Sequence, residues 1–280
     1  MKVAITGASG FVGRALSERL RASGHSVTAV SLRTPPPPEV LAGCQAVVNL
    51  AGEPVAQRWT AAARERITSS RIQSTRSLVA ALRPHPPAVL VSASAVGYYG
   101  SRGDEILTED SAAASDFLGH LALRWEQEAH AAEQFGVRVV TPRIGVVLGR
   151  SGGALAKMLL PFRLGVGGRL GSGEQWMSWI TLDDLVSLIE FAIEDAALSG
   201  PVNAVAPNPV TNATFTRELA AALHRPAIFP VPAFALKLFF GEMAQVLLGG
   251  QRVIPQAALR AGFQFQFADL GQALRNVVAT

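Results

Sequence analysis

The chain has 280 residues, of which 49% are hydrophobic and 16% are charged. This composition excludes a disulfide miniprotein, a disordered tail and a fibrous repeat, and the length predicts one or two globular domains. The single cysteine, Cys44, cannot form an internal disulfide, which favours a reducing compartment.

The charge balance is 25 Lys and Arg against 21 Asp and Glu, a formal net charge of +4. The basic residues are spread along the chain instead of forming one stripe, so we expect no nucleic-acid partner. The most apolar late segment, 228–240, is interrupted by Pro230, Pro232 and Lys237 and is shorter than the ~18 residues that a membrane span requires. We therefore expect a cytoplasmic protein without a membrane partner.

Short β-rich runs alternate with helical patterns in the first half, which is typical of a parallel sheet covered on both faces. A proline run at 35–38 excludes a helix between the second and third strands, so this crossover is predicted to be extended. We expect every strand to be buried on both faces. The predicted strands are 2–6, 27–32, 46–50, 89–92 and 137–142, and the predicted helices are 11–23, 60–82 and 117–135.

These elements predict an α/β fold, a doubly wound parallel-sheet Rossmann domain. After Gly149 the sequence changes to short elements separated by Gly and Pro. We assign residues 1–150 to the Rossmann domain, with 182–206 returning to it. Residues 151–181 and 207–280 are predicted to form a smaller mixed lobe that closes over the carboxyl edge of the sheet.

A glycine-rich loop follows the first strand and begins the first helix. Glycines permit a tight turn and a close approach of pyrophosphate to the main chain, and the helix N-terminus supplies amide donors. Because the strand, the loop and the helix occur in this order, the loop predicts dinucleotide binding. The predicted cofactor contacts here are Thr6, Gly7, Ser9, Gly10, Phe11, Val12 and Gly13.

The spacing Gly-x-x-Gly-x-x-Gly at the start resembles that of the extended short-chain dehydrogenase/reductase (SDR) superfamily, in its nucleoside-diphosphate-sugar epimerase/dehydratase branch. Other segments resemble an atypical subgroup of NAD-dependent epimerase/dehydratase-like proteins: Asn49-Leu50-Ala51-Gly52-Glu53-Pro54, Arg58-Trp59-Thr60, Ser70-Arg71, Val96-Gly97-Tyr98-Tyr99-Gly100, Trp125-Glu126, Ser178-Trp179-Ile180 and Gly262-Phe263-Gln264-Phe265. The resemblance covers essentially the whole chain and implies a nicotinamide cofactor. It adds Leu50, Ala51 and Gly52 to the expected cofactor contacts, and Arg143, after the fifth strand, is expected to meet a cofactor phosphate or an anionic substrate group.

The end of the second strand bears on the choice of nicotinamide cofactor. NAD-specific sites carry an acid about 20 residues past the glycine loop to bind the ribose 2′-hydroxyl, whereas an arginine favours a 2′-phosphate. Here the chain reads Ser31-Leu32-Arg33-Thr34, without an acid. Arg33 can pair with the phosphate and Ser31 can add a hydroxyl donor, so we expect NADP(H) in preference to NAD(H). The alternative for Arg33 is a solvated loop charge.

The usual acid/base pair of the superfamily is absent. It consists of a Tyr and a Lys four residues later on one helix face. The only tyrosines are Tyr98 and Tyr99, and the predicted helix 117–135 contains neither residue type.

Ser94 lies at the position of the superfamily serine and is predicted to hold a substrate oxygen. Tyr98, Tyr99 or solvent is predicted to supply the proton. The alternatives are a local backbone hydrogen bond for Ser94 and packing for the tyrosines.

Further substrate contacts are expected from Glu53, Trp59 and Trp179. The Glu53 carboxylate is placed to orient Arg71 or a substrate hydroxyl, with a plain salt bridge as the alternative. The tryptophans are placed to stack on a ring between the lobes, with core packing as the alternative. The histidines show no ligand spacing, so no metal is expected.

Our leading interpretation is an oxidoreductase or epimerase-like enzyme that moves hydride between NADP(H) and a small polar substrate. The alternative is a non-catalytic NADP(H)-binding protein with a regulatory or sensor role, which the missing Tyr and Lys make credible. A homodimer through the helices 60–82 and 117–135 is a further possibility that the resemblance suggests.

Overall fold

The structure is a computed structural model, and it describes residues 1–279. The strands are β1 (Lys2–Thr6), β2 (Ser26–Val30), β3 (Ala46–Asn49), β4 (Val89–Ser92), β5 (Ser94–Ala95), β6 (Ile106–Leu107), β7 (Arg138–Ile144), β8 (Val146–Gly149), β9 (Trp176–Met177), β10 (Trp179–Thr181), β11 (Gly200–Ala204), β12 (Val210–Thr211) and β13 (Arg252–Val253). The α-helices are α1 (Phe11–Ala22), α2 (Ala61–Leu82), α3 (Phe117–His130), α4 (Gly153–Arg163), α5 (Leu182–Glu194), α6 (Asn212–Ala222), α7 (Ala233–Phe240), α8 (Ala244–Leu248), α9 (Gln256–Arg260) and α10 (Leu270–Ala279).

The main sheet is parallel and has the order β11-β7-β4-β3-β1-β2, with β5 continuing the pairing beside β7. The chain moves from β1 to one side for β2 and then to the other side for β3. The loops after β1 and β3 therefore flank the crevice in which open α/β sheets bind ligands. The predicted doubly wound Rossmann architecture is confirmed.

Alternating residues of the central strands serve two cores. Val3 and Ile5 pack with α1 and α5 on one face of the sheet, whereas Ala4 packs with the end of α2 on the other. One expectation was wrong: β2 is not buried on both faces. Most of its residues are at least partly exposed, because β2 pairs only with β1 and forms the edge of the sheet.

The helix starts agree with the capping residues in the sequence. Thr60 caps α2 by accepting a hydrogen bond from the Ala63 N–H, and Asp116 caps α3 by accepting one from the Gly119 N–H. The predicted helix 117–135 ends earlier, at His130, and continues as a short 3₁₀ turn over Ala131–Phe135.

The segments after residue 150 form a second packing centre. It includes Leu155 of α4, Phe215 of α6 and Leu274 of α10, which pack around Trp179. The Asp184 carboxylate on α5 accepts hydrogen bonds from the backbone N–H groups of residues 266 and 267, at 2.7 and 3.1 Å. The C-terminal segment is thus fastened to a helix that packs on the main sheet.

Large apolar side chains are exposed mainly on α4, on α7 and on the segments beside them: Leu160, Leu164, Val166, Ile228, Phe229, Phe234, Leu238 and Phe239. Within residues 1–279, α2 and α3 expose no large apolar side chain of this kind, and Arg76 pairs with Glu128 between them. The predicted homodimer through α2 and α3 therefore gains no apolar face from the structure and stays a prediction. No helix in the described part of the chain is long and apolar enough to cross a membrane.

Candidate functional site

The glycine loop after β1 has no room for side chains at two positions. Gly7 has φ +68°, and a Cβ there would lie 2.8 Å from the backbone of Leu50. A Cβ at Gly13 would lie 2.2 Å from the Gly7 carbonyl oxygen, where α1 crosses the loop. The loop is therefore held against both the helix and the segment after β3.

The first turn of α1 has free amide groups. Gly10 occupies the N-cap position, so no side chain caps the helix, and the first turn contains no acid. The N–H groups of Phe11 and Val12 consequently have no intrahelical acceptor, and the helix dipole places partial positive charge beside them. This arrangement fits a diphosphate, the group that a dinucleotide cofactor would place here.

Phe11 fixes the start of α1 against the chain beyond β8. Added Cβ atoms at Gly149 and Gly152 would each lie 2.5 Å from its ring. Phe11 is thus enclosed by glycine backbone, and the structure gives it a packing role within the predicted cofactor loop.

A buried polar network lies below the loop, at the aligned ends of β1, β3 and β4. Asn49 accepts a hydrogen bond from the Thr6 hydroxyl at 2.7 Å, and its amide donates to Ser92 and Thr75. Trp125 of α3 donates to the same Thr75 hydroxyl at 3.0 Å. The predicted contact residue Thr6 therefore uses its hydroxyl to join strands below the crevice.

Arg33 is exposed, and its guanidinium has no ion-pair or hydrogen-bond partner among residues 1–279. The Arg33 N–H lies 3.3 Å from the Ser31 hydroxyl, so the two predicted 2′-phosphate ligands are adjacent. A dianionic phosphate between them would meet the fork of donors that arginine presents.

An apolar cleft of about 670 Å³ lies on the β4 and β7 side of the crevice. Its wall includes the segment after Ser94, the segment around Gly145 and the cleft-facing side of α3. Leu118 and Ala122 stand four residues apart on that side. The part of α3 that lines the cleft is therefore predominantly apolar, in the region where the resemblance leads one to expect the acid/base pair.

Ser94 is buried and belongs to an ionic network below the cleft. Its hydroxyl donates to a Glu126 carboxylate oxygen at 2.6 Å. Arg143 forms two hydrogen bonds with the same carboxylate, both at 2.8 Å. Burial opposes the charge of Arg143, but the hydrogen bonds and charge of Glu126 outweigh it and raise the arginine pKa. The hydroxyl hydrogen of Ser94 is thus committed to a protein carboxylate, and its substrate role stays a prediction.

The expected contact between Arg143 and an anionic ligand is not supported by the structure. Arg143 is 3% exposed, and its remaining terminal nitrogen donates to the Tyr99 hydroxyl and to the Glu109 carbonyl. Its hydrogen-bonding capacity is taken up inside the protein, so the structure assigns it to holding β7 and α3 together.

Tyr99 was expected to be a possible proton carrier, and this expectation is wrong. Its side chain is fully buried, and its hydroxyl donates to the side-chain amide oxygen (Oδ1) of Asn203 at 2.6 Å. Burial raises its pKa to about 12, although Arg143 and the hydrogen bonds act in the opposite direction. Tyr98 is partly exposed, and the guanidinium carbon of Arg143 lies 3.5 Å from the centre of its ring. The role of Tyr98 in proton transfer stays a prediction.

Glu53 does not orient Arg71 through its carboxylate. The Glu53 carboxylate meets Gln57 at 3.1 Å and Arg66 at 3.5 Å, whereas Arg71 donates to the Glu53 backbone carbonyl at 2.9 Å. Trp59 lines the cleft, and its indole N–H donates to the Val55 carbonyl at 2.9 Å. Of these predicted substrate contacts, the structure places Trp59 in the cleft wall.

Trp179 was expected to stack on a ligand, and this expectation is also wrong. Its side chain is fully buried within the second packing centre, and its indole N–H donates to the Asn208 backbone carbonyl. It has no surface on which a ligand could stack. Trp176, a neighbouring tryptophan, does line the cleft.

His25, Glu190 and Glu194 bring possible ligand atoms within 4.8 Å of one another. Glu190 pairs with Arg19, and the His25 ring nitrogen lies 3.3 Å from the amino group of Met1. Because Arg19 pairs with Glu190 and His25 lies 3.3 Å from Glu194, we interpret this cluster as a set of polar contacts between α5 and its neighbours, and the expectation of no metal stays a prediction.

Sequence reasoning gave no direct site role to three charged residues, although two of them, Arg71 and Glu126, belong to the quoted motifs. Glu126 is buried at 6% exposure inside α3, and its place in the Trp125-Glu126 motif is the signal that could have identified it. Arg64 and Arg71 line the cleft from α2, where their seven-residue spacing places them on one side of the helix.

Comparisons with known proteins agree with this architecture. The model of the "NAD dependent epimerase/dehydratase family" matches residues 3–205, and the model "Domain of unknown function (DUF1731)" matches residues 231–277. Epimerase family protein Mb2239 of Mycobacterium bovis is 44% identical over 97% of this chain and 96% of its own length. Human epimerase family protein SDR39U1 is 41% identical over 100% of both chains.

Among solved structures, human SDR39U1 (isoform2) with NADPH matches with a TM-score of 0.93 and 39% identity over 100% of both chains. The family match spans the Rossmann strands and the glycine loop, and the relatives match over the full length. The chain therefore belongs to the NAD dependent epimerase/dehydratase family, as an atypical SDR protein with a DUF1731 region at its C-terminal end.

Proposed function

We propose that this protein binds NADP(H) and acts as an oxidoreductase that transfers hydride between the nicotinamide and an organic molecule in the apolar cleft. The observation that carries the proposal is the uncapped glycine loop with the unpaired Arg33 on the same edge of the sheet as the cleft. A human relative with 39% identity has been crystallised with NADPH, which supports the choice of cofactor.

In this proposal the glycine loop binds the diphosphate through the first amides of α1. Arg33 and Ser31 bind the 2′-phosphate, and the segment Leu50–Gly52 borders the crevice beside Gly7. The bound nicotinamide supplies or accepts the hydride. The cleft walls around Trp59 and Leu118 hold the second molecule and limit access of water to it.

The proposal departs from ordinary SDR chemistry in the proton step. Leu118 and Ala122 cannot donate a proton, Tyr99 is sealed in the interior, and the Ser94 hydrogen is bound to Glu126. The remaining tyrosine, Tyr98, packs on the Arg143 guanidinium instead of lining the cleft. We therefore assign the proton to solvent. This favours acceptors whose reduced form spreads its negative charge over a conjugated system, such as quinones and enones. The predominantly apolar walls replace our expectation of a small polar substrate with one of an apolar body.

A second candidate function is NADP(H) binding without turnover, as a sensor or regulatory protein. The apolar pair Leu118 and Ala122 is the observation that favours it, because it removes acid/base chemistry and leaves the cofactor loop intact. We retain the free, buried Cys44 as support for a reducing compartment in either case.

The test begins with calorimetric titration of the full chain with NADPH and NADH. The NADPH-loaded protein is then assayed for loss of the reduced-nicotinamide absorbance with quinones, enones, aldehydes and sugar nucleotides. The proposal expects tight NADPH binding and turnover with at least one conjugated acceptor, and Gly13→Ala serves as the matched cofactor-binding control. Binding without turnover across all four classes supports the sensor, and no binding of either nucleotide contradicts both functions.

A further inference from the structure

Arg71 is a mostly buried cation on the wall of the cleft. It lies midway along α2, and its guanidinium packs below the loop after β3: a Cβ on Gly52 would lie 3.2 Å from the guanidinium carbon. The guanidinium also stands 5.0 Å from the ring centre of Trp125 on α3. Arg71 is therefore held between two helices and a loop, with one side towards the cleft.

No carboxylate pairs with this cation. Within residues 1–279 Arg71 has no ion pair, and one terminal nitrogen makes its hydrogen bonds, to the backbone carbonyls of Glu53 and Ile67 at 2.9 and 3.2 Å. The other terminal nitrogen and Nε have no acceptor in that part of the chain. Burial lowers the Arg71 pKa to about 10, although the charge of Glu53 acts in the opposite direction.

The two nitrogens without an acceptor are not among the buried unsatisfied atoms of the described residues, so they stay accessible to a ligand. A largely buried cation with accessible donors of this kind is stabilised when an anion meets it. The second arginine of the cleft, Arg64, differs in this respect because it forms a salt bridge with Glu242. The cleft acid Asp116 caps α3 through its carboxylate. Arg71 is therefore the cleft cation whose charge the protein leaves unmatched.

We propose that Arg71 binds an anionic oxygen of the substrate, so that the cleft takes molecules with an apolar body and one carboxylate or phosphate group. This inference rests on the proposed function, since it names the substrate class of the same cleft. The rigid arrangement of Arg71 over Trp125 presents two donors in a plane, the geometry that suits a carboxylate or a phosphate.

Two sources could provide the anionic oxygen, the substrate and a cofactor phosphate. The uncapped start of α1 and Arg33 already match the diphosphate and the 2′-phosphate. Among the described residues that line the apolar cleft, Arg71 is the cation without an ion pair, since Arg64 pairs with Glu242. We therefore assign the anion to the substrate, and the experiment includes a separate arm for the cofactor.

The experiment compares octanoate with 1-octanol, which share an apolar body and differ in the charged group. Both are titrated calorimetrically into the NADPH-loaded full chain and into its Arg71→Gln and Arg71→Lys variants, with Arg66→Gln as the control for an arginine near Glu53. We expect native protein and Arg66→Gln to bind octanoate at least about tenfold more tightly than octanol, as a charged hydrogen bond provides. Arg71→Gln removes this preference without weakening octanol, and Arg71→Lys restores part of it.

The proposal is overturned if native protein binds the two probes equally, if it binds neither, or if Arg71→Gln keeps the preference. In the cofactor arm, NADPH affinity is measured for the same proteins without the probes. An Arg71→Gln protein that loses NADPH affinity and keeps the octanoate preference assigns the anion to the cofactor instead. Failure of the native protein to bind NADPH contradicts the proposed function itself. The preference for octanoate over octanol is also measured in nucleotide-free protein, which tests Arg71 separately. If Arg71→Gln does not fold, the test uses the ratio of octanoate affinity to octanol affinity in the native protein and in Arg71→Lys.

Discussion

The glycine loop after β1 and the cleft-facing side of α3 form two parts of one crevice, but they differ in how closely their residues fit the chemistry expected of the superfamily. The loop has every feature needed to hold a diphosphate, including close backbone contacts at Gly7 and Gly13 and an uncapped helix. The helix side has Leu118 and Ala122 where acid/base chemistry would require ionisable groups. Cofactor binding and proton transfer are thus physically separable in this fold, and a chain can keep the first without the second.

The largest effect on cofactor binding is expected from a substitution at Gly13. A Cβ there would meet the Gly7 carbonyl oxygen at 2.2 Å, so Gly13→Ala must displace the loop from α1. We expect NADPH affinity to fall about 10- to 100-fold, because overpacking of this kind costs about 1–3 kcal/mol. Calorimetry measures the effect, and Arg21→Ala on the exposed side of α1 is the control. Unchanged affinity in a folded Gly13→Ala protein contradicts the assignment of the loop.

The second test concerns the buried ion pair behind the cleft. Glu126→Gln leaves the Arg143 guanidinium buried with a neutral partner, and we expect a loss of about 3 kcal/mol in the free energy of unfolding. Urea unfolding followed by tryptophan fluorescence provides the measurement. NADPH affinity of the folded variant is expected to stay unchanged, since the pair lies below the cleft and away from the glycine loop. A stable variant that loses the cofactor would show that we assigned the wrong role to Glu126.

A third test measures how strongly the protein prefers NADPH to NADH. Arg33→Gln removes the guanidinium without altering the glycine loop, and we expect NADPH binding to weaken about tenfold because a charged hydrogen bond contributes about 1.5–3 kcal/mol. NADH has no 2′-phosphate and loses no contact in Arg33→Gln, so its affinity should stay within about twofold of the native value. The readout is the ratio of the two dissociation constants. An unaltered ratio in Arg33→Gln means that Arg33 is a solvated charge.

The smallest expected effect is spectroscopic and tests the burial of Tyr99. In Tyr98→Phe protein Tyr99 is the single tyrosine, and its ionisation can be followed by ultraviolet absorbance. We expect a midpoint at about pH 12 in the folded protein, and near the ordinary value of about 10 after unfolding in urea. Because the folded state holds this proton more tightly, the contribution of Tyr99 to stability is present below pH 10 and is lost as pH rises towards 12. A folded-state midpoint near 10 would return Tyr99 to the list of possible proton carriers.

Elements with strong local signals were predictable from the sequence. The first strand, the glycine loop and α1 follow one another with the spacing of a dinucleotide-binding unit. Thr60 and Asp116 mark the starts of α2 and α3, because their side chains accept hydrogen bonds from nearby amides. The edge position of β2 was not predictable in this way, because it depends on which strands pair across the sheet.

The roles of individual side chains were less predictable than the strands and helices that carry them. Arg143 near the end of β7, Tyr99 after β5 and Trp179 at the start of β10 each turn into the interior. Their partners there are distant in sequence: Glu126, Asn203 and Asn208 respectively. Being near the end of a strand does not decide whether a side chain faces the crevice or the core, since successive residues point to opposite sides.

By itself the sequence determined the parallel-sheet fold, the dinucleotide loop, the absence of the Tyr and Lys pair and the basic residue at the end of β2. All of these depend on residue type and on spacing within a few turns of the chain. Tertiary structure alone decided that Ser94 is bound to Glu126, that Arg71 faces the cleft without a counterion and that the cleft walls are apolar. The physical reason is that desolvation and ion pairing depend on every neighbour in space, and here those neighbours come from helices and loops far apart in the chain.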